Sequence, residues 1–147
     1  MEINLTTIGI AKNKYREKYR DWEDTVTKIY IDEKYQDGLY KLEEFSHIQV
    51  IFYLHKVKNY SIKLVPQGKI GILPEVGVFA TRTQYRPSPI GVSIAEVINI
   101  KGNVITVKGL DVLNNTPIID IKPYIPDHKN IKYKIPSWVK KLEEINK

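Results

Sequence analysis

Residues 77–91, GVFATRTQYRPSPIG, hold two arginines, Arg82 and Arg86, among two prolines, Pro87 and Pro89, and the glycines Gly77 and Gly91. A guanidinium is a permanent cation whose planar fork matches a carboxylate or a phosphate, so the run offers anion binding. Prolines at alternate positions fix φ and keep the loop preorganised. Arg86, held just before a proline, sits where backbone conformation is restricted. A surface salt bridge at each arginine is the competing account. Tyr85, between them, adds an aromatic face.

A second set lies on HIQVIFYLH, where His47 and His55 bracket Gln49 and Tyr53. Histidine can hydrogen-bond a polar ligand or carry a proton near neutral pH. Eight residues of strand separate the two rings by more than about 20 Å, too far to share an ion. His47 reads as a junction residue that bonds backbone, and His55, followed by Lys56 at the strand end, as the better ligand contact. A third set alternates: Lys12, Lys14, Arg16, Lys18 and Arg20, with Tyr15 and Tyr19 interleaved. On an extended backbone these five cations face one side and suit RNA phosphates, with tyrosines for stacked bases. A solvated strand edge kept soluble by lysine explains the same pattern. Glu96, Asp111 and Asp120 are isolated carboxylates, which serve more often as caps or arginine partners than as general bases. Tyr85, Arg86 and Asp111 are the catalytic candidates.

Several chemistries are excluded. There is no cysteine in the 147 residues, hence no disulfide, thiolate metal site or cysteine nucleophile. No glycine-rich dinucleotide or phosphate loop, nucleophile elbow or helical histidine pair occurs, and no metal is expected. A net charge of +6 favours a polyanionic partner, although lysine-rich chains also arise through adaptation to heat. No apolar run is long enough for a bilayer crossing, and the start MEINLTTIGI lacks the pattern of a secretory signal, so a cytoplasmic protein is expected.

These residues need a scaffold, and the pattern predicts one mainly of β-strands in a single domain over 1–147. DTVTKIYID alternates with Thr25, Thr27, Ile29 and Ile31 on one face; HIQVIFYLH does so with Ile48, Val50, Phe52 and Leu54. Leu39, Leu42 and Phe45 behind Asp37 predict a short internal helix with Asp37 as its cap. Residues 58–74 read as a loop or irregular edge. GVSIAEVINIKGNVITVKGLDVL reads as two strands joined at Lys101, Gly102 and Asn103, and a turn at Asn114 and Asn115 precedes a brief strand. A C-terminal helix over about 137–146, capped by Ser137, presents Trp138, Val139, Leu142 and Ile145 and is expected to dock on the sheet. Strands without βαβ alternation fit a small closed or nearly closed barrel.

GVFATR, RPSPIG, LEEFSHI, GLDVLNNTP and DIKPYIP together resemble, in residue type and spacing, the TsaA-like (TrmO) family, over Ile8 to Pro126. The resemblance implies a small β-barrel-like fold, S-adenosylmethionine as cofactor, a homodimer, and methylation of the exocyclic nitrogen of threonylcarbamoyladenosine in tRNA. It implies cofactor contacts at His55, Lys56, Arg82, Val92, Leu113, Asn114, Asn115 and Thr116, with Arg82 on the methionine carboxylate and turn backbone on adenine or ribose. Methyl transfer then rests on positioning, and Tyr85, Tyr53 and Tyr15 are candidates to stack a splayed base. Two departures stand out: DWED occupies the place of an early Pro-Arg-Gln segment, and LNNT that of Leu-Asp-Gly-Thr. Longer members of the family this chain resembles append a further domain, associated with tRNA engagement, where this sequence carries only Ser137 to Lys147. The departures keep a second reading open, an S-adenosylmethionine-binding protein that acts on a small molecule or has a non-catalytic role.

Overall fold

A computed structural model describes residues 1–15, 21–127 and 129–147, so Arg16, Lys18 and Arg20 lie outside the described residues. The chain forms two compact units, residues Met1–Lys56 with Pro89–Ile125, and Val57–Ser88 with Pro126–Lys147.

The first unit is a closed antiparallel barrel. Its strands are β1 (Gly9–Lys12), β2 (Val26–Ile31), β3 (His47–Tyr53), β6 (Ile90–Lys101), β7 (Val104–Lys108) and β8 (Pro117–Pro123), while β4 (Lys63–Leu64) and β5 (Val76–Gly77) belong to the second unit. The ring order is β1-β2-β7-β6-β3-β8, and β8 returns to β1 with Gly9 opposite Ile118. Period-two alternation sets which side chains enter the barrel. Along β2, Thr27, Ile29 and Ile31 are buried while Val26, Lys28 and Tyr30 are exposed; along β3, Ile48, Val50 and Phe52 are buried. With Ala11, Ile105, Val107, Leu110 and Ile118 they fill the interior, as a small barrel requires. Each large aliphatic chain contributes about 2 kcal/mol.

Closure needs local bends. β6 is bulged against β7 between Val97 and Asn99, and β3 against β8 between Ile51 and Phe52, each adding twist where the sheet curls. The β6–β7 hairpin turns on Gly102, whose φ of 58° suits a residue without Cβ. At Gly9 the constraint is space: a Cβ would fall 2.5 Å from the Tyr30 carbonyl oxygen, so the β1–β2 approach admits only hydrogen.

The internal helix is realised as two 3₁₀ segments, Glu33–Leu39 and Leu42–Glu44, separated by Lys41 in the left-handed region (φ 68°). Leu39, Leu42 and Phe45 recur every third residue, which is the 3₁₀ repeat rather than the α repeat, and all three pack on the core. The cap is Asp32, whose side chain accepts from the Lys34 N–H at 3.4 Å, and not Asp37, which contributes its backbone carbonyl to Tyr40. Helical structure thus begins earlier than Asp37, at Glu33.

In the second unit β4 and β5 pair antiparallel, and Leu73 and Val78 are buried. Its helix α1 runs Ser137–Ile145 with Pro136 at the cap position and no side-chain cap, so Ser137 is the first helical residue instead of the cap. Trp138, Val139 and Leu142 are half-buried and Ile145 is exposed. Helix α1 belongs with residues 57–88 in this unit. Among the described residues no helix is long and apolar enough to cross a membrane.

Candidate functional site

Strand direction decides what shares a rim. β1 and β3 end, and β6 and β8 begin, at the same edge, because Tyr53 pairs with Ile90, Phe52 with Ile118, and Ile10 with Pro117. The chain leaving β7 arrives there too: Lys108 lies opposite Glu96, and farther on the Asp111 N–H lies 3.5 Å from the Ser93 hydroxyl. His55, Lys56, Val92, Asp111, Leu113, Asn114, Asn115, Thr116 and Lys12 therefore gather along this edge of the barrel.

The turn at 113–116 is held mainly by β1. Asn115 donates its N–H to the Ala11 carbonyl at 2.9 Å, Ala11 donates to the Thr116 carbonyl at 2.9 Å, and Asn114 donates to the Tyr15 carbonyl at 2.6 Å. Thr116 closes the turn on Leu113 through both its N–H and its hydroxyl, at 3.3 and 2.7 Å. Asn115 stands at φ 68°, a conformation asparagine tolerates better than most side chains. Of the turn backbone expected to meet adenine or ribose, the Asn114, Asn115 and Thr116 N–H groups are thus committed within the protein, while the Asn114 side-chain amide nitrogen has no partner among the described residues.

Asn13 was not singled out in the sequence and does most of the fastening. Its amide nitrogen donates to the Thr27 hydroxyl at 3.1 Å and to the Val112 carbonyl at 3.0 Å. Its oxygen accepts from the Tyr15 N–H at 3.0 Å, and its own N–H reaches the Asn114 oxygen at 3.0 Å. Thr27, fully buried inside an otherwise apolar strand face, was the available signal, since a buried hydroxyl requires a partner.

β1 ends at Lys12, and Lys14 lies in a bend with its ammonium 5.6 Å from the Tyr15 ring centre. Lys12 itself donates to the Asn115 side-chain oxygen, at the turn.

His55 and Lys56 form a turn after β3, with Leu54 bonded to the Pro89 carbonyl at 2.8 Å. Burial first, and then the Lys56 ammonium, lower the His55 pKa below its ordinary 6.5, against a backbone hydrogen bond with Tyr53 that favours the cation. Burial and the ammonium both favour the neutral imidazole. His47 instead shares a 2.8 Å hydrogen bond with the Ser46 hydroxyl and meets the Tyr124 ring edge-on. Asp120 is taken by Lys122 at 3.0 Å.

Arg82, Tyr85 and Arg86 lie in the second unit. Thr81 donates its hydroxyl to the Val78 carbonyl at 2.7 Å and accepts from the Thr83 N–H at 3.3 Å; the Thr83 hydroxyl accepts from Tyr85 N–H at 3.3 Å. The Arg86 guanidinium donates to the Thr81 and Thr83 carbonyls at 3.1 and 3.0 Å, so it braces the loop. Exposed Arg82 has no ion pair among the described residues, and neither has Arg86. The threonine ladder was legible only as Thr-x-Thr.

The family model for the tRNA-methyltransferase O N-terminal domain matches residues 14–130. The chain belongs to this family. It is 35% identical over 128 residues to an Archaeoglobus fulgidus S-adenosyl-L-methionine-binding protein, covering 84% of this chain and 90% of that one. It is 33% identical over 132 residues to the Escherichia coli tRNA (adenine(37)-N6)-methyltransferase, covering 81% of this chain and 56% of the other. A crystal structure of TrmO from Pseudomonas aeruginosa shares the fold, with a TM-score of 0.72 at 24% identity, over 91% of this chain and 60% of that one. The TrmO-type chain thus spans nearly all of the archaeal relative and under two thirds of the two bacterial proteins.

Nuclear magnetic resonance titration is expected to find the His55 pKa below 6.5, and Lys56→Ala to raise it toward that value. Because the unfolded chain binds the proton more readily, the sign follows: stability attributable to His55 is present above pH 6.5 and is lost as pH falls through the lowered folded value. A His55 pKa at or above 6.5 contradicts the assignment.

Proposed function

We propose that this chain transfers a methyl group to the exocyclic nitrogen of threonylcarbamoyladenosine in tRNA, using S-adenosylmethionine. The observation that carries the reading is the convergence of His55, Lys56, Val92 and residues 113–116 on one rim, in a chain of the tRNA-methyltransferase O N-terminal domain family. On the rim the donor set suits the cofactor: exposed Val92 as apolar surface for adenine, His55 with its neutral form favoured, and the Asn114 side-chain amide for polar edges. In the second unit, taken by itself, the unpaired Arg82 guanidinium suits a carboxylate such as the cofactor's. Bound there, S-adenosylmethionine supplies an activated methyl on a sulfonium sulfur.

What the chain itself contributes is positioning. The turn at 113–116 is fastened before any ligand arrives, so little ordering entropy remains to be lost. Arg86 holds the loop that carries Arg82. Half-buried Tyr15, beside the rim, is the proposed stacking face for the target base. Asp111, tethered to Ser93, is the remaining catalytic candidate; its role is to accept the proton that the methylated nitrogen sheds.

A homodimer working in the cytoplasm belongs to the same proposal. The outward face of β3 and β6 supports it, where Ile94 is 45% exposed and Tyr53 42%, with half-buried Ile51 on the same face. So much apolar surface on adjacent strands fits a second copy better than solvent. By light scattering Ile94→Lys is expected to convert dimer to monomer; an unchanged mass, or a monomeric parent, refutes the interface.

The second reading, cofactor binding without RNA methylation, is favoured by the archaeal relative, which the chain matches over 90% of its length and which is named only as a binding protein. Assay of methyl transfer from labelled cofactor to tRNA bearing threonylcarbamoyladenosine separates the two. Incorporation is expected, and Arg82→Ala should weaken cofactor binding about tenfold or more, the loss of one charge-assisted contact. Tight cofactor binding with no incorporation selects the second reading; an unchanged dissociation constant removes Arg82.

A further inference from the structure

Away from the rim, the outer wall formed by β1, β2, β7 and β6 carries a set of side chains that the fold does not require. The registers align them in two rows. Lys12 lies opposite Lys28, Lys28 opposite Thr106, and Thr106 opposite Asn99; one step along, Tyr30 lies opposite Val104, and Val104 opposite Lys101. Lys28, Tyr30, Asn99, Lys101, Val104 and Thr106 line an open groove of about 350 Å³.

Three features of this wall point to an anionic chain as occupant. Lys12 and Lys28 are directly opposed like charges, an arrangement that destabilises a sheet. Lys28 and Lys101 have no ion pair among the described residues, whereas Lys108 on the same wall is matched by Asp24 at 3.2 Å. Tyr30, 40% exposed, stands between these lysines with its ring available, and the β6 bulge turns Asn99 outward beside it. The carboxylates of Asp32 and Glu33 line a separate groove that shares Tyr30, so they bound the basic track on one side. On the other side the track joins the rim, because Lys12 donates to Asn115 in the turn.

We propose that this wall is a docking track for tRNA, with backbone phosphates on Lys12, Lys28 and Lys101 and an unpaired base against Tyr30. The inference rests on the tRNA reading above and adds where the substrate is gripped beyond the target nucleotide. Lysine charge with an interleaved aromatic ring and few directional base contacts is the chemistry of sequence-tolerant single-strand binding. An acidic polypeptide would use the lysines but has no need of a stacking ring.

The test is fluorescence anisotropy of labelled tRNA with the full chain across a range of salt. Lys28→Gln with Lys101→Gln is expected to weaken binding about tenfold at low salt and to flatten the slope of log Kd against log salt by about 1.5. Lys28→Arg with Lys101→Arg should keep both, and Tyr30→Ala, but not Tyr30→Phe, should weaken binding about fivefold or more. Melting temperature should not fall in any of the four, and should rise slightly in the glutamine variant as the Lys12–Lys28 repulsion is relieved, while cofactor affinity stays at the parent value. Parent affinity and slope in the glutamine variant overturn the track, as does a parent protein that binds polyglutamate and not tRNA. The two proposals fail separately: methyl transfer with an unaffected glutamine variant removes the track alone, while absent transfer with these binding losses removes the catalytic reading alone.

Discussion

Strand β1 is the constraint on which the rest depends. In four residues it pairs with β2 on one side and β8 on the other, closing the ring, and its carbonyl and N–H at Ala11 also hold the turn at 113–116. Gly9 admits the close approach to Tyr30 that this pairing needs, and Asn13, one residue past the strand, ties its side chain to Thr27 and Val112 and its main-chain N–H to the Asn114 side-chain oxygen. Barrel closure and turn geometry are consequently one structural event. A nucleoside meeting that turn meets main chain that is already satisfied and fixed.

The cationic groups divide their work in a similar way. Arg86 spends its guanidinium on two carbonyls of its own loop, and Arg82 keeps its charge for a partner outside. Lys12 spends a donor on Asn115, whereas Lys28 and Lys101 remain without an ion pair among the described residues. A donor committed within the fold fixes geometry, and an ammonium, with three donors, can do so at Lys12 and still meet an anion. A net charge of +6 by itself distinguishes neither role.

The barrel was legible because its strands are half-buried and alternate strictly: Thr27, Ile29 and Ile31 in β2 and Ile48, Val50 and Phe52 in β3 fall where period two requires. The hairpin at Gly102 and the turn at Asn115 were legible from turn chemistry. Helical detail was less so. Leu39, Leu42 and Phe45 have a spacing that an α-helix and a 3₁₀ helix share, and a serine before an apolar stripe invites a cap assignment when Pro136 already takes that place. In the candidate site, His55, Lys56 and residues 113–116 came from ordered motifs, and the strand registers explain why they converge. Asn13, Thr81 and Thr83 escaped notice because their importance lies in what their side chains reach, which spacing alone does not encode. The wall around Tyr30 escaped for a related reason: Lys12, Lys28 and Lys101 are far apart in sequence and become neighbours only through register.

The central claim is that the rim of the barrel is a preformed S-adenosylmethionine platform. Backbone chemical-shift mapping of the isotope-labelled chain during titration with that cofactor tests it most directly. The account predicts saturable shifts at His55, Lys56, Val92 and residues 113–116, with little change at the opposite edge around Gly102 and Tyr124. No saturable shifts, or shifts confined to that opposite edge, would contradict it.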